Sequence, residues 1–171
     1  RTDPERAIAW AVANGEAGAQ ILSSVANVLG TRDYDRLLLF ADRVPADQRM
    51  EWIVSGATAQ ASVNASAALS TIDNLRDEPG FIDAATSVVR RAALQNTDTT
   101  GDWVVSLPNG ALRDAVLGSL IEATASMGLI DANWLAVFST PTERQNALLG
   151  ALPRFANNNP DETRQLIDNY F

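Results

Sequence analysis

The sequence predicts an all-α fold, a right-handed α-solenoid of stacked antiparallel helix pairs, and three observations carry that prediction. The first is a register. Trp10, Trp103 and Trp134 stand 93 and 31 residues apart, so a 31-residue period joins all three. Its empty slots fall on Ala41 beside Phe40, on Ile72, and on Gln165 beside Leu166 and Ile167. A period of roughly 30–45 residues is that of one helix–turn–helix unit. The second is a break after each tryptophan slot, rich in proline, glycine or asparagine. The third is apolar spacing in threes and fours, with no sustained period-two alternation to indicate strands.

Taken in order, Asp3-Pro4-Glu5 supplies an N-cap, a first-turn proline and an acid against the helix dipole, and opens a helix. Pro160-Asp161-Glu162 repeats that chemistry after three asparagines. Asn14-Gly15, Val44-Pro45-Ala46-Asp47, Asp77-Glu78-Pro79-Gly80, Leu107-Pro108-Asn109-Gly110 and Ser139-Thr140-Pro141-Thr142 each end one helix and start the next. First helices are predicted over 4–14, 33–43, 65–75, 100–106, 131–138 and 160–170. Second helices follow over 17–29, 46–63, 79–95, 110–127 and 142–156. Ile21, Val25, Val28 and Leu29 form one apolar stripe for the core. Met50, Ile53, Val54, Ala57 and Ala61 form another, and Ala115, Leu117, Leu120, Ile121 and Ala125 a third. Short loops leave no linker, so residues 1–171 read as a single helical-repeat domain. The start at Arg1 and the apolar ending Tyr170-Phe171 mark it as a fragment of a longer chain.

Composition narrows the chemistry. The 171 residues are 46% hydrophobic and 20% charged, ordinary for a globular chain. There is no cysteine and no histidine, and all thirteen basic residues are arginine. Disulfides, zinc–thiolate sites and thiol catalysis are excluded, and the commonest general base and metal ligand are missing. An Arg-only, Ala-rich composition points to a GC-rich bacterial genome. A net charge of −8 and a pI near 4.4 disfavour nucleic acid and anionic membrane surfaces. No apolar run reaches the roughly 20 residues of a membrane span.

The segment Trp103 to Leu117, with Leu107-Pro108, Arg113 and Ala115 in it, and the opening Asp3-Pro4-Glu5-Arg6-Ala7-Ile8-Ala9-Trp10 resemble a family of bacterial tandem helical repeats. That family pairs an Asp-Pro-started helix ending near Trp with a Leu-Pro break and an Arg-x-x-Ala second helix. The chain is similar also to HEAT repeats, whose second helix begins with an arginine; Arg49, Arg113 and Arg144 occupy that slot. The third unit lacks both Trp and Arg, and a full tetratricopeptide (TPR-like) signature is not met. The resemblance covers nearly the whole chain and implies a HEAT-like or TPR-like interaction scaffold.

Each candidate for chemistry has a structural counterpart. Trp10, Trp103 and Trp134 offer an aromatic peptide groove, or, as preferred, one core wedge per repeat. Trp52, outside the register, is the better partner anchor, with core placement still favoured. Arg49, Arg113 and Arg144 either bind carboxylates or, as preferred, bridge neighbouring turns. Asn96-Thr97-Asp98-Thr99-Thr100-Gly101-Asp102 imitates the first half of a calcium loop, but Leu107 holds the twelfth position, where a bidentate Glu belongs. A polar turn with Asp102 capping the next helix is preferred. Glu16, Glu51, Glu122 and Glu143 read as helix-start or solvated carboxylates. Asn64-Ala65-Ser66 matches a glycosylation sequon.

The expected function is a non-catalytic protein-interaction scaffold that binds a protein or peptide on its concave face, with no cofactor, no metal, no nucleic acid and no membrane insertion. A structural spacer or oligomerisation module is the alternative. A HEAT-like enzyme acting on nucleic acid is a further one, disfavoured by the acidic charge.

Overall fold

A computed structural model describes residues 3–171. Among the described residues the chain forms eleven helices and no strand. They are α1 (Pro4–Ala13), α2 (Glu16–Arg32), α3 (Tyr34–Ala41), α4 (Arg49–Ala61), α5 (Ala65–Asp73), α6 (Phe81–Gln95), α7 (Thr97–Ser106), α8 (Ala111–Ala125), α9 (Ala132–Ala136), α10 (Pro141–Phe155) and α11 (Pro160–Tyr170).

A recurrent cap starts the odd-numbered helices. The side chains of Asp3, Asp33, Asn64, Asn96 and Asp131 each accept a hydrogen bond from a backbone N–H two or three residues on. Each satisfies one of the first-turn donors that an α-helix leaves unpaired. With Asn159 they recur at 30, 31, 32, 35 and 28 residues. Two of the proline-rich breaks end on a glycine whose φ is positive, Gly80 at 86° and Gly110 at 137°, a turn into α6 and α8 that other residues resist.

Helices pack on their neighbours in chain order. The even helices α2, α4, α6 and α8 each lie against the odd helix before them. The even helices α2, α4, α6, α8 and α10 form a continuous row, each against the next. Small residues set the approach. A Cβ on Gly30 of α2 would lie 2.1 Å from the Gly56 carbonyl oxygen of α4, so these two backbones touch. In the odd layer, Trp134 of α9 lies flat enough on α7 that a Cβ on Gly101 would meet its Nε1 at 2.8 Å.

The buried apolar side chains fall into two clusters. One gathers Ile8, Leu22, Leu37, Phe40 and Trp52 from α1–α4. The other runs from Ala57 to Phe155 and includes Val88, Leu117, Leu120, Leu135 and Leu148. Tyr34 packs against both. Burial pushes its phenol above the ordinary value of about 10, and the neighbouring Thr71 side chain offsets this only in part. The folded state therefore holds that proton more tightly than the unfolded chain, so the stabilisation is complete below about pH 10 and drains away as pH rises further. Urea midpoints between pH 8 and pH 11 are expected to fall more steeply for the native chain than for Tyr34→Phe. Parallel curves would remove Tyr34 as the cause.

The tryptophan register is only partly a packing register. Trp134 is buried and Trp103 half-buried against the larger cluster. Trp10, however, is 51% exposed. It does not fill the core as a wedge, because α1 packs mainly on α2 and leaves half of the Trp10 surface in solvent. Ala41 and Ile72, in the slots without Trp, are buried.

Candidate functional site

A groove with a largely apolar lining lies at the α1–α2–α3 end. Both α1 and α3 rest on α2, and they leave between them a groove of about 460 Å³. Two apolar ridges on α2 explain it. Gly18, Leu22, Ala26 and Leu29 at threes and fours are buried and face the core. Ile21, Val25 and Val28 make a second ridge beside the first and form the groove floor, with Val28 53% exposed. The stripe Ile21-Val25-Val28-Leu29 was expected to be core; only Leu29 is buried. A helix apolar over a wider arc than its neighbours can cover leaves the surplus in solvent.

One end of the groove is charged. Asp33 alone separates α2 from α3, ending one helix and capping the other, its carboxylate accepting the Arg36 N–H at 3.2 Å. That one-residue junction brings Arg32, in the last turn of α2, and Arg36, in the first turn of α3, to the same mouth. The Arg36 guanidinium lies 5.4 Å from the Phe40 ring centroid, a stacking that limits where it can point. Among the described residues neither Arg32 nor Arg36 forms an ion pair. On a chain of net charge −8, two unpaired guanidinium groups beside an apolar floor form a local positive spot.

A smaller cleft of about 240 Å³ crosses the row of even helices, lined by Arg90 and Leu94 of α6, Glu122 of α8 and Arg154 of α10. Glu122 and Arg154 are 3.9 Å apart and both solvent-facing, an ion pair that contributes little.

The residues singled out in the sequence are placed as follows. Arg113 donates to the Val137 carbonyl at the end of α9, Arg144 lies 5.0 Å from the Tyr170 ring centroid of α11, and Arg49 donates to the Ala41 carbonyl at 3.1 Å. All three tie a second helix to the end of a first one, which leaves none of them lining the groove. Next to Arg113, Asp114 is only 6% exposed and accepts the Ser139 N–H at 3.0 Å, holding the turn before α10. Asp114→Ala strands that donor in a part-buried turn and is expected to lower stability by about 1–3 kcal/mol, read from urea midpoints. Asp114→Asn, which keeps an acceptor, is expected to recover most of the loss.

Trp52 is no partner anchor: it is buried, and its indole N–H donates to the Leu37 carbonyl at 3.0 Å. The calcium-like segment is helical from Thr97. Asn96 caps it, and Asp102 lies inside α7 rather than capping it, because α6 runs to Gln95 and leaves a one-residue junction. The segment is therefore helix rather than the loop whose alternate residues would converge on an ion, and its carboxylates, Asp98 and Asp102, share a face four residues apart on α7. Asn64 of the sequon caps α5. Glu16 and Glu143 sit in first turns as helix-start carboxylates. Among the described residues no group of three acidic side chains is arranged to hold a metal ion, and no helix is long and apolar enough to cross a membrane.

Comparison with known protein families, curated proteins and solved structures finds no match for this chain.

Proposed function

We propose that this chain is a non-catalytic protein-interaction scaffold, a right-handed α-solenoid of HEAT-like or TPR-like helix pairs that binds a segment of a partner protein. The observation that carries the reading is the apolar groove on α2 between α1 and α3, open to solvent and charged at one end. Concave apolar surface with a few oriented polar groups is the usual form of a recognition site. The unbroken row of even helices supports the solenoid, since stacked neighbours give such an array its rigidity. The groove lies between first helices, and this reading takes it as the binding surface in preference to a concave face of the whole array.

The test uses the intact chain and Val28→Asp as paired baits in lysate of the source cell. Val28 is half-exposed, so the substitution leaves the fold intact, which the thermal melt checks. A protein retained by the native chain and lost with Val28→Asp supports the scaffold. Equal recovery by both baits sinks this site and moves the binding surface elsewhere; recovery by neither favours a structural spacer.

A further inference from the structure

Resting on the groove as a protein-binding site, we infer that its occupant is an amphipathic α-helix of a partner protein, lying parallel to α2 with a carboxylate in its last turn beside Arg32 and Arg36. The shape of the floor comes first. Ile21, Val25 and Val28 stand at i, i+4 and i+7 on α2, the spacing that meshes with anchors at the same spacing on a second helix. Backbone chemistry disfavours an extended segment. The floor, Ile21, Val25 and Val28, lies inside α2, where backbone N–H and C=O groups pair along the helix, and no sheet edge exists among the described residues. An extended segment lying on that apolar floor would bury unpaired backbone groups, whereas a helix satisfies its own.

Direction follows from charge. The mouth carries Arg32 and Arg36 against Asp33 alone, whose carboxylate already accepts the Arg36 N–H. A helix parallel to α2 brings the negative end of its dipole and its last-turn carbonyls to the two guanidinium groups, and the reverse direction brings its positive end. A glutamate or aspartate in that last turn forms a charge-assisted hydrogen bond with a guanidinium that the Phe40 ring already orients. The volume, about 460 Å³, suits the anchoring side chains rather than the whole helix.

The test is fluorescence polarisation with a short end-capped amphipathic peptide bearing leucines at i, i+4 and i+7 and a glutamate one turn beyond. Two companions carry lysine for that glutamate, or alanine for the leucines. The glutamate peptide is expected to bind roughly tenfold or more tightly than the lysine peptide. Arg32→Ala with Arg36→Ala should erase that difference, and Val28→Asp or the alanine peptide should abolish binding. If glutamate and lysine peptides bind alike and Val28→Asp still abolishes both, the carboxylate is wrong and the groove stands. If no peptide binds and none moves the methyl NMR signals of Ile21, Val25 and Val28, both the helix and the groove reading fall. Concentration-dependent self-association lost in Val28→Asp would make the occupant a second copy and overturn a partner helix.

Discussion

Gly30→Ala is expected to lower the melting temperature by roughly 6–12 °C, the equivalent of about 3 kcal/mol in a chain of this length. Alanine is ordinarily the better helix former by about 1 kcal/mol, so the sign is set by packing alone. The new Cβ would lie 2.1 Å from the Gly56 carbonyl oxygen, with the Gly56 carbonyl carbon at 2.8 Å and its Cα at 2.9 Å. Those are backbone atoms of α4 and cannot swing aside as a side chain can, so α2 and α4 must separate. Gly118→Ala is the matched control. On α8 its nearest neighbour would be the Ala147 Cβ at an ordinary 3.8 Å, and a gain of roughly 0.5–1 kcal/mol is expected. Thermal melts of the two variants should move in opposite directions. A Gly30→Ala protein as stable as the parent would mean that α2 and α4 are farther apart than described.

Trp52→Ala is expected to cost about 3–5 kcal/mol, the range for truncating a large aromatic inside a packed core. The indole is 2% exposed and its N–H donates to the Leu37 carbonyl, joining α4 to α3. Trp10→Ala removes the same side chain from a site where half of it already faces water, and a cost below about 1 kcal/mol is expected. Urea midpoints of the two variants compare them directly. Equal losses would contradict the solvent-facing position of Trp10.

Sequence alone reaches the helix count and the order of first and second helices, because the signals are local. A capping Asp or Asn, a helix-opening proline and a terminating glycine act within a few residues of the backbone they shape. The cap positions Asp33 and Asn64 hold the period in the units that lack a tryptophan, and they are the cleaner register. The tryptophans mislead because burial depends on what lies opposite: Trp134 has Gly101 beneath it, and Trp10 keeps half of its surface in solvent. For the same reason the groove is hidden in sequence. Ile21, Val25 and Val28 keep helical spacing, and only the splay of α1 from α3 exposes them. The one available signal was that α2 carries two apolar ridges where one would face the core. Arg32 and Arg36 are brought together by a single-residue junction, which no local pattern of charges announces.

The division of the buried side chains into two clusters, bridged by α4 and Tyr34, bears on how the chain opens. Cooperativity is carried by shared contacts, and here few are shared between the α1–α3 end and the body that follows α4. The α1–α3 end joins the rest mainly through α4, so partial opening of α1 and α3 is expected at a lower free energy than opening of α6, α8 and α10, with the close α2–α4 contact the last to part. A ligand gripping α1, α2 and α3 together would suppress that partial opening first, so occupancy would be recorded as slower amide exchange in these helices and little change elsewhere.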